Sequence, residues 1–200
     1  MSQSITSLSS HLLSLNEDLY KSSTESTFLH LAGHGKLPST TLSQWLSQDR
    51  LYAQMYIRFS GLLLANLTLP RKADKHDLNE RLVDCLIGAL ANVKRELGFF
   101  EETAKKYELD LEVWAKEGEG REGKIELKGL ADGTRGYAKL FEGLGTGVEK
   151  GDKSVLECWV LLWGMEKVSG LLVLSKAVAN SPAIVLSRSM EICQDLLHQW

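Results

Sequence analysis

Apolar side chains recur three and four positions apart along most of this chain, and only three prolines, Pro38, Pro70 and Pro182, interrupt them. That spacing is the signature of amphipathic helices, because residues three and four apart share a helix face. Leu8, Leu12, Leu13 and Leu15 open a first helix ending near Tyr20, and a short helix follows from about Thr24 to Ala32. The run Gly33 to Pro38 breaks the chain, and Ser39 or Thr40 is the expected N-cap of a third helix reaching Asn66. After a turn at Thr68 to Lys72, a long periodic segment covers Asp74 to Tyr107, with Leu82, Leu86, Leu90 and Val93 as its buried stripe. The polar, glycine-rich stretch Glu117 to Lys124 reads as an exposed loop. A helix from Ala131 to Glu142, a second glycine-rich loop from Gly143 to Gly151, a helix from Ser154 to Ala179 and a last one from Ala183 complete the pattern. With neither internal repeat nor strand alternation, the prediction is an all-α bundle of six to seven helices. It spans residues 1–200 as one domain, with any ligand site between facing helices.

Composition narrows the function classes. A hydrophobic fraction of 44% supports a sizeable core without covalent staples. The net charge of -3, with both signs mixed, offers no electrostatic footprint for nucleic acid. Cys85, Cys158 and Cys193 are far apart and lack metal or disulfide spacing, which suits a reducing compartment. The first residues carry neither a secretory signal nor an arginine-rich transit pattern, and no apolar run approaches the roughly 20 residues of a membrane span. The expectation is a cytoplasmic protein with no membrane partner.

The residues best suited to chemistry lie on the third helix, where Trp45, Asp49, Tyr52 and Tyr56 fall at spacings of four, three and four. All four share one face. A carboxylate among aromatic rings must find a donor, either an arginine or helix terminus of its own chain or the amino edge of a bound heterocycle. A later helix carries Glu157, Cys158, Glu166 and Ser169 in an otherwise apolar run. An apolar setting would raise the carboxyl of Glu166 and suit it to proton transfer, unless it marks the solvated side of the helix. Cys158 has no histidine nearby to activate it and reads as a buried, inert thiol. The histidines form no Glu-x-x-His metal element.

Several segments together resemble a known family. Thr27 to Pro38 followed by Trp45-Leu-Ser-Gln-Asp-Arg-Leu-Tyr52 looks like a "WL-x-QD-x-x-Y" opening. Glu96 to Ala104 resembles a central acidic helix, and Thr134 to Tyr137 a "T-x-x-Y" helix. Glu157 to Lys167 resembles an "E-x-x-x-x-L-W-x-x-E-K" pattern. In this order, over about Phe28 to Ala177, they resemble the TenA/THI-4 family of the haem-oxygenase-like superfamily. The resemblance implies a haem-oxygenase-like bundle, commonly oligomeric, that uses no metal or organic cofactor. It would hydrolyse a C-N bond of aminopyrimidine or formylaminopyrimidine breakdown products in thiamin salvage. Asp49 would hold the aminopyrimidine, with Tyr52, Tyr137, Trp45 and Ser169 around it. Met165 stands where the cysteine-bearing branch has its nucleophile, and Ser169 where a tyrosine is expected, so the glutamate-type branch fits better, with Glu166 moving the proton. Of the late acidic residues, Glu191 and Asp195 align with no family motif. The alternative is a non-catalytic member of the fold that binds a small ligand or a protein.

Overall fold

The computed structural model describes residues 8–72, 74–112 and 130–174, with side chains over 10–72, 74–112 and 130–165. Seven helices and no strand occur among the described residues. They are α1 (Leu8–Ser14), α2 (Glu17–Thr24), α3 (Thr27–Gly33), α4 (Ser39–Asn66), α5 (Leu78–Tyr107), α6 (Asp132–Glu149) and α7 (Val155–Leu174). The expected loop at Glu117 to Lys124 and the helix beyond Ala183 lie outside the described residues. None of the described helices is long and apolar enough to cross a membrane. The chain divides into two compact units, residues 37–161 and residues 1–36 with 162–200.

In the unit containing residues 1–36, the single helix expected from Leu8 to Tyr20 is two. Asn16 ends the first and caps the second, its side-chain oxygen accepting from the Leu19 N–H at 3.0 Å. Glu17 and Asp18 then sit in the first turn, where the helix dipole favours negative charge. Ser26 caps α3 in the same way.

In the unit of residues 37–161, α4 packs against both α5 and α6. The residue that caps α4 is Pro38, not Ser39 or Thr40: its fixed φ sets the entry, and Ser39 is already helical. Asp77 starts α5, accepting from the Asn79 and Glu80 N–H groups, so Asp74 to Asp77 form a turn rather than helix. The left-handed Glu108 ends it.

The largest departure from expectation is α6, which continues to Glu149 straight through Gly143, Gly145 and Gly147. Phe141, Gly145 and Val148 are buried at helical spacing, and Phe141 stacks on Phe59 of α4 at 4.8 Å between ring centroids. A Cβ at Gly145 would approach Leu62 Cδ1 to 3.0 Å, so the bare backbone lets α6 lie close to α4. Packing against large apolar residues thus overrides the intrinsic cost of glycine in a helix. Side-chain bonds fix the ends of these helices. Gln48 Oε1 accepts from the Ala131 N–H at 2.9 Å ahead of α6, and Ser43 Oγ accepts from the Asp110 N–H at 3.1 Å beyond α5.

Candidate functional site

The interface of α4 and α6 carries a ladder of rings. Tyr52, Tyr56 and Phe59 come from α4, at the three- and four-residue spacings that keep them on one face; Tyr137 and Phe141 come from α6. Tyr52 meets Tyr137 edge-on at 5.1 Å and Phe141 at 6.0 Å, while Tyr56 meets Phe141 edge-on at 6.4 Å. Tyr56 and Phe59 are buried, whereas Tyr52 and Tyr137 keep part of their surface open. The edge-to-face pairs match the quadrupoles of the rings and stiffen this wall. Burial pushes the Tyr137 phenol above its usual range.

Asp49 stands one turn before Tyr52 on α4 and is largely enclosed by protein yet retains some accessible surface. Among the described residues no arginine or lysine pairs with it and no donor satisfies its carboxyl. Its carboxyl is pushed up to about 7, first by burial and then by the negative charge of Glu96 on α5. At neutral pH this group is close to half protonated, able to donate through O–H and to accept through C=O at once.

Glu96 is the residue that sequence reading missed as part of the site. Its sequence neighbourhood is an ordinary charged stretch, and only the packing of α5 on α4 brings it toward Asp49. The buried Asn92 donates to Glu96 Oε1 at 2.9 Å and accepts from Arg95 Nη2 at 2.7 Å, which fixes the glutamate one turn away.

The other expected residues fall as follows. Trp45 is partly buried one turn before Asp49 on the same helix. The side chains of Glu166 and Ser169 lie outside the described residues, as do Glu191 and Asp195. Glu157 is an exposed helix-start residue: Lys153 Nζ donates to it at 2.8 Å and the Ser154 N–H at 2.8 Å, which together hold its carboxyl below the usual range. Cys158 is fully buried with its thiol 3.9 Å from the Leu144 carbonyl oxygen, and burial pushes the thiol up. It joins α7 to α6 as packing. His34 Nδ1 lies 2.7 Å from the His30 carbonyl oxygen. Among the described residues no three His, Cys, Asp or Glu side chains group as a metal site would require.

No family model and no solved structure matches this chain. A "Probable transcription factor" from Fusarium pseudograminearum (strain CS3096) is 31% identical to it over 161 residues, 80% of this chain and 29% of the relative. The chain therefore spans less than a third of that relative's length.

This similarity corrects the expectation of a thiamin-salvage hydrolase, since the relative's name points to transcription and away from pyrimidine hydrolysis. The physical reason the motifs misled is that they describe a site wall rather than a reaction. A carboxylate set among tyrosines on a helix suits the binding of a ring whatever happens to that ring afterwards.

Proposed function

We propose that this chain is a TenA-like helical module that binds a flat nitrogen heterocycle with an amino edge, such as a substituted aminopyrimidine, for a longer protein acting in transcription. The observation that carries the reading is Asp49, a largely enclosed carboxyl without a donor among the described residues, one turn before the partly open ring of Tyr52, which meets Tyr137 edge-on. Such a group is costly to bury alone, by several kcal/mol in order of magnitude, and a ligand that pairs with it offsets that cost. An aminopyrimidine edge has the matching pattern: its amino group donates to one carboxyl oxygen while its ring nitrogen accepts from the other. The haem-oxygenase-like arrangement belongs to the same proposal, supported by the order of the helices and their motifs.

The relative's name supports the link to transcription and suits a nuclear or cytoplasmic setting. With a net charge of -3, the chain fits a ligand-responsive role better than contact with DNA phosphates. The reading is of binding, and no bond-breaking step is assigned. Titration calorimetry with 4-aminopyrimidine tests it. Wild-type protein is expected to bind, and Asp49→Ala to lose about tenfold or more in affinity, close to 1.4 kcal/mol, with an unchanged helical circular dichroism spectrum. Equal affinity in the two proteins overturns the assignment.

A further inference from the structure

The outward face of α6 carries a seam that the described residues leave open. Asp132, Gly136, Lys139, Gly143, Thr146 and Lys150 follow at spacings of four, three, four, three and four, the pattern by which one helix lies along another. Thr146 is partly exposed and the other five are exposed. A Cβ at Gly136 or Gly143 would meet nothing within 4 Å, so a second backbone can approach closely here. Toward its C-terminal end the seam becomes an open groove of about 520 Å³, with Gly143, Thr146, Gly147 and Lys153 in its lining. The turn after α6 fixes one wall. The Gly147 carbonyl accepts from the Asp152 and Lys153 N–H groups at 2.8 and 3.0 Å, and the Lys153 stem lies over Gly147. Leu140, 48% exposed, stands beside the seam.

We propose that this seam is the contact between two copies of the chain, with α6 lying antiparallel to α6 about a two-fold axis level with Phe141. The order of charge and size along the seam selects that occupant. Asp132 and Lys150 each lie nine residues from Phe141, so Asp132 of each copy comes level with Lys150 of the other and two opposite-charge pairs form. Gly136 and Thr146 each lie five residues away, and Lys139 and Gly143 two. At each of these levels a longer side chain therefore meets a bare glycine. A parallel pair would instead set Asp132 against Asp132 and each lysine against its own counterpart, and like charges would repel. Leu140 of each copy falls on the same side of the antiparallel pair, where the two exposed leucines cover one another. A single helix face makes an interface at the small end of the range, so the pair is weak and depends on concentration. The inference does not rest on the ligand-binding reading of Asp49.

Sedimentation equilibrium of the 200-residue chain, from micromolar to millimolar concentration, tests the pairing, with circular dichroism as the check on folding. The wild-type mass is expected to rise from 22.3 kDa toward twice that value. Asp132→Lys sets lysine against lysine at both ends of the seam, and Leu140→Asp sets two carboxylates together at its middle. Each is expected to raise the dissociation constant by about tenfold or more. Lys150→Asp added to Asp132→Lys restores opposite charges between copies and is expected to restore the dimer. Carbodiimide coupling gives a second readout that needs no variant. Asp132 and Lys150 lie about 27 Å apart along one helix, too far to be joined within a chain, so an Asp132–Lys150 amide found by mass spectrometry reports the contact between copies. A wild type that stays monomeric at every concentration overturns the proposal. A dimer indifferent to Asp132→Lys and Leu140→Asp overturns this surface as its interface. A dimer broken by Asp132→Lys, not restored in the double variant and lacking the cross-link overturns the antiparallel register.

Discussion

An aspartate whose carboxyl titrates near 7 in the folded chain, against 3.8 ordinarily, weakens the fold as pH rises. Below about pH 4 the group is protonated whether the chain is folded or not, and it contributes nothing. Between about 4 and 7 the unfolded chain has released the proton while the folded chain still holds it, so stability declines by about 1.4 kcal/mol per pH unit. Above 7 the loss is complete, roughly 4 kcal/mol in all. Asn at this position keeps the size of the side chain and cannot ionise. Asp49→Asn is therefore expected to match wild type at pH 3 and to exceed it by that amount at pH 8. Urea unfolding of both proteins from pH 3 to 9 checks this, and two parallel curves would show that Asp49 is solvated or already paired. A residue that makes the protein less stable at neutral pH does not serve folding there, which accords with the ligand-binding role proposed for Asp49.

At the scale of the helix, the glycines of α6 separate local preference from tertiary packing. A Cβ at Gly143 meets nothing within 4 Å, whereas one at Gly145 reaches Leu62 at 3.0 Å and Phe59 at 3.7 Å. Gly143→Ala is expected to stabilise the protein by about 0.5–1 kcal/mol through helix propensity alone. Gly145→Leu is expected to destabilise it by about 1–3 kcal/mol by forcing α6 away from α4. Urea midpoints of the two variants give the signs, and a stabilising Gly145→Leu would mean that the α4–α6 contact is loose. The same glycines explain one limit of the sequence reading. Three glycines within five residues look like a loop unless one knows that a phenylalanine and a leucine from another helix wait opposite. The shared face of Trp45, Asp49, Tyr52 and Tyr56, by contrast, lies within one helix and was legible from spacing. Glu96 was not, because its meeting with Asp49 depends on how α5 lies on α4, which no local pattern encodes.

For the whole molecule, the question is whether a chain of this charge can hold DNA directly. Proteins that hold DNA without regard to sequence do so by gathering lysines and arginines on one surface and releasing the counterions of the phosphates. Among the described residues, an open groove of about 520 Å³ over the end of α6 gathers Lys139, Lys150 and Lys153 on its walls. Glu142 and Asp152 line the same groove, and Lys153 is already 2.8 Å from Glu157. The local field is therefore near neutral, and the overall charge is -3. The 200-residue chain alone is expected to show no binding to a random 20-base-pair duplex at 150 mM salt, in contrast to the roughly 10⁻⁴–10⁻⁶ M of ordinary non-specific DNA binders. Fluorescence anisotropy with labelled duplex measures this directly. Micromolar affinity that falls steeply with added salt would mean that a basic surface forms which the described residues do not present, and the ligand-binding role would then have to share the chain with DNA contact. Absence of binding, together with uptake of a flat ring at Asp49, would favour the proposed small-molecule role over direct contact with DNA.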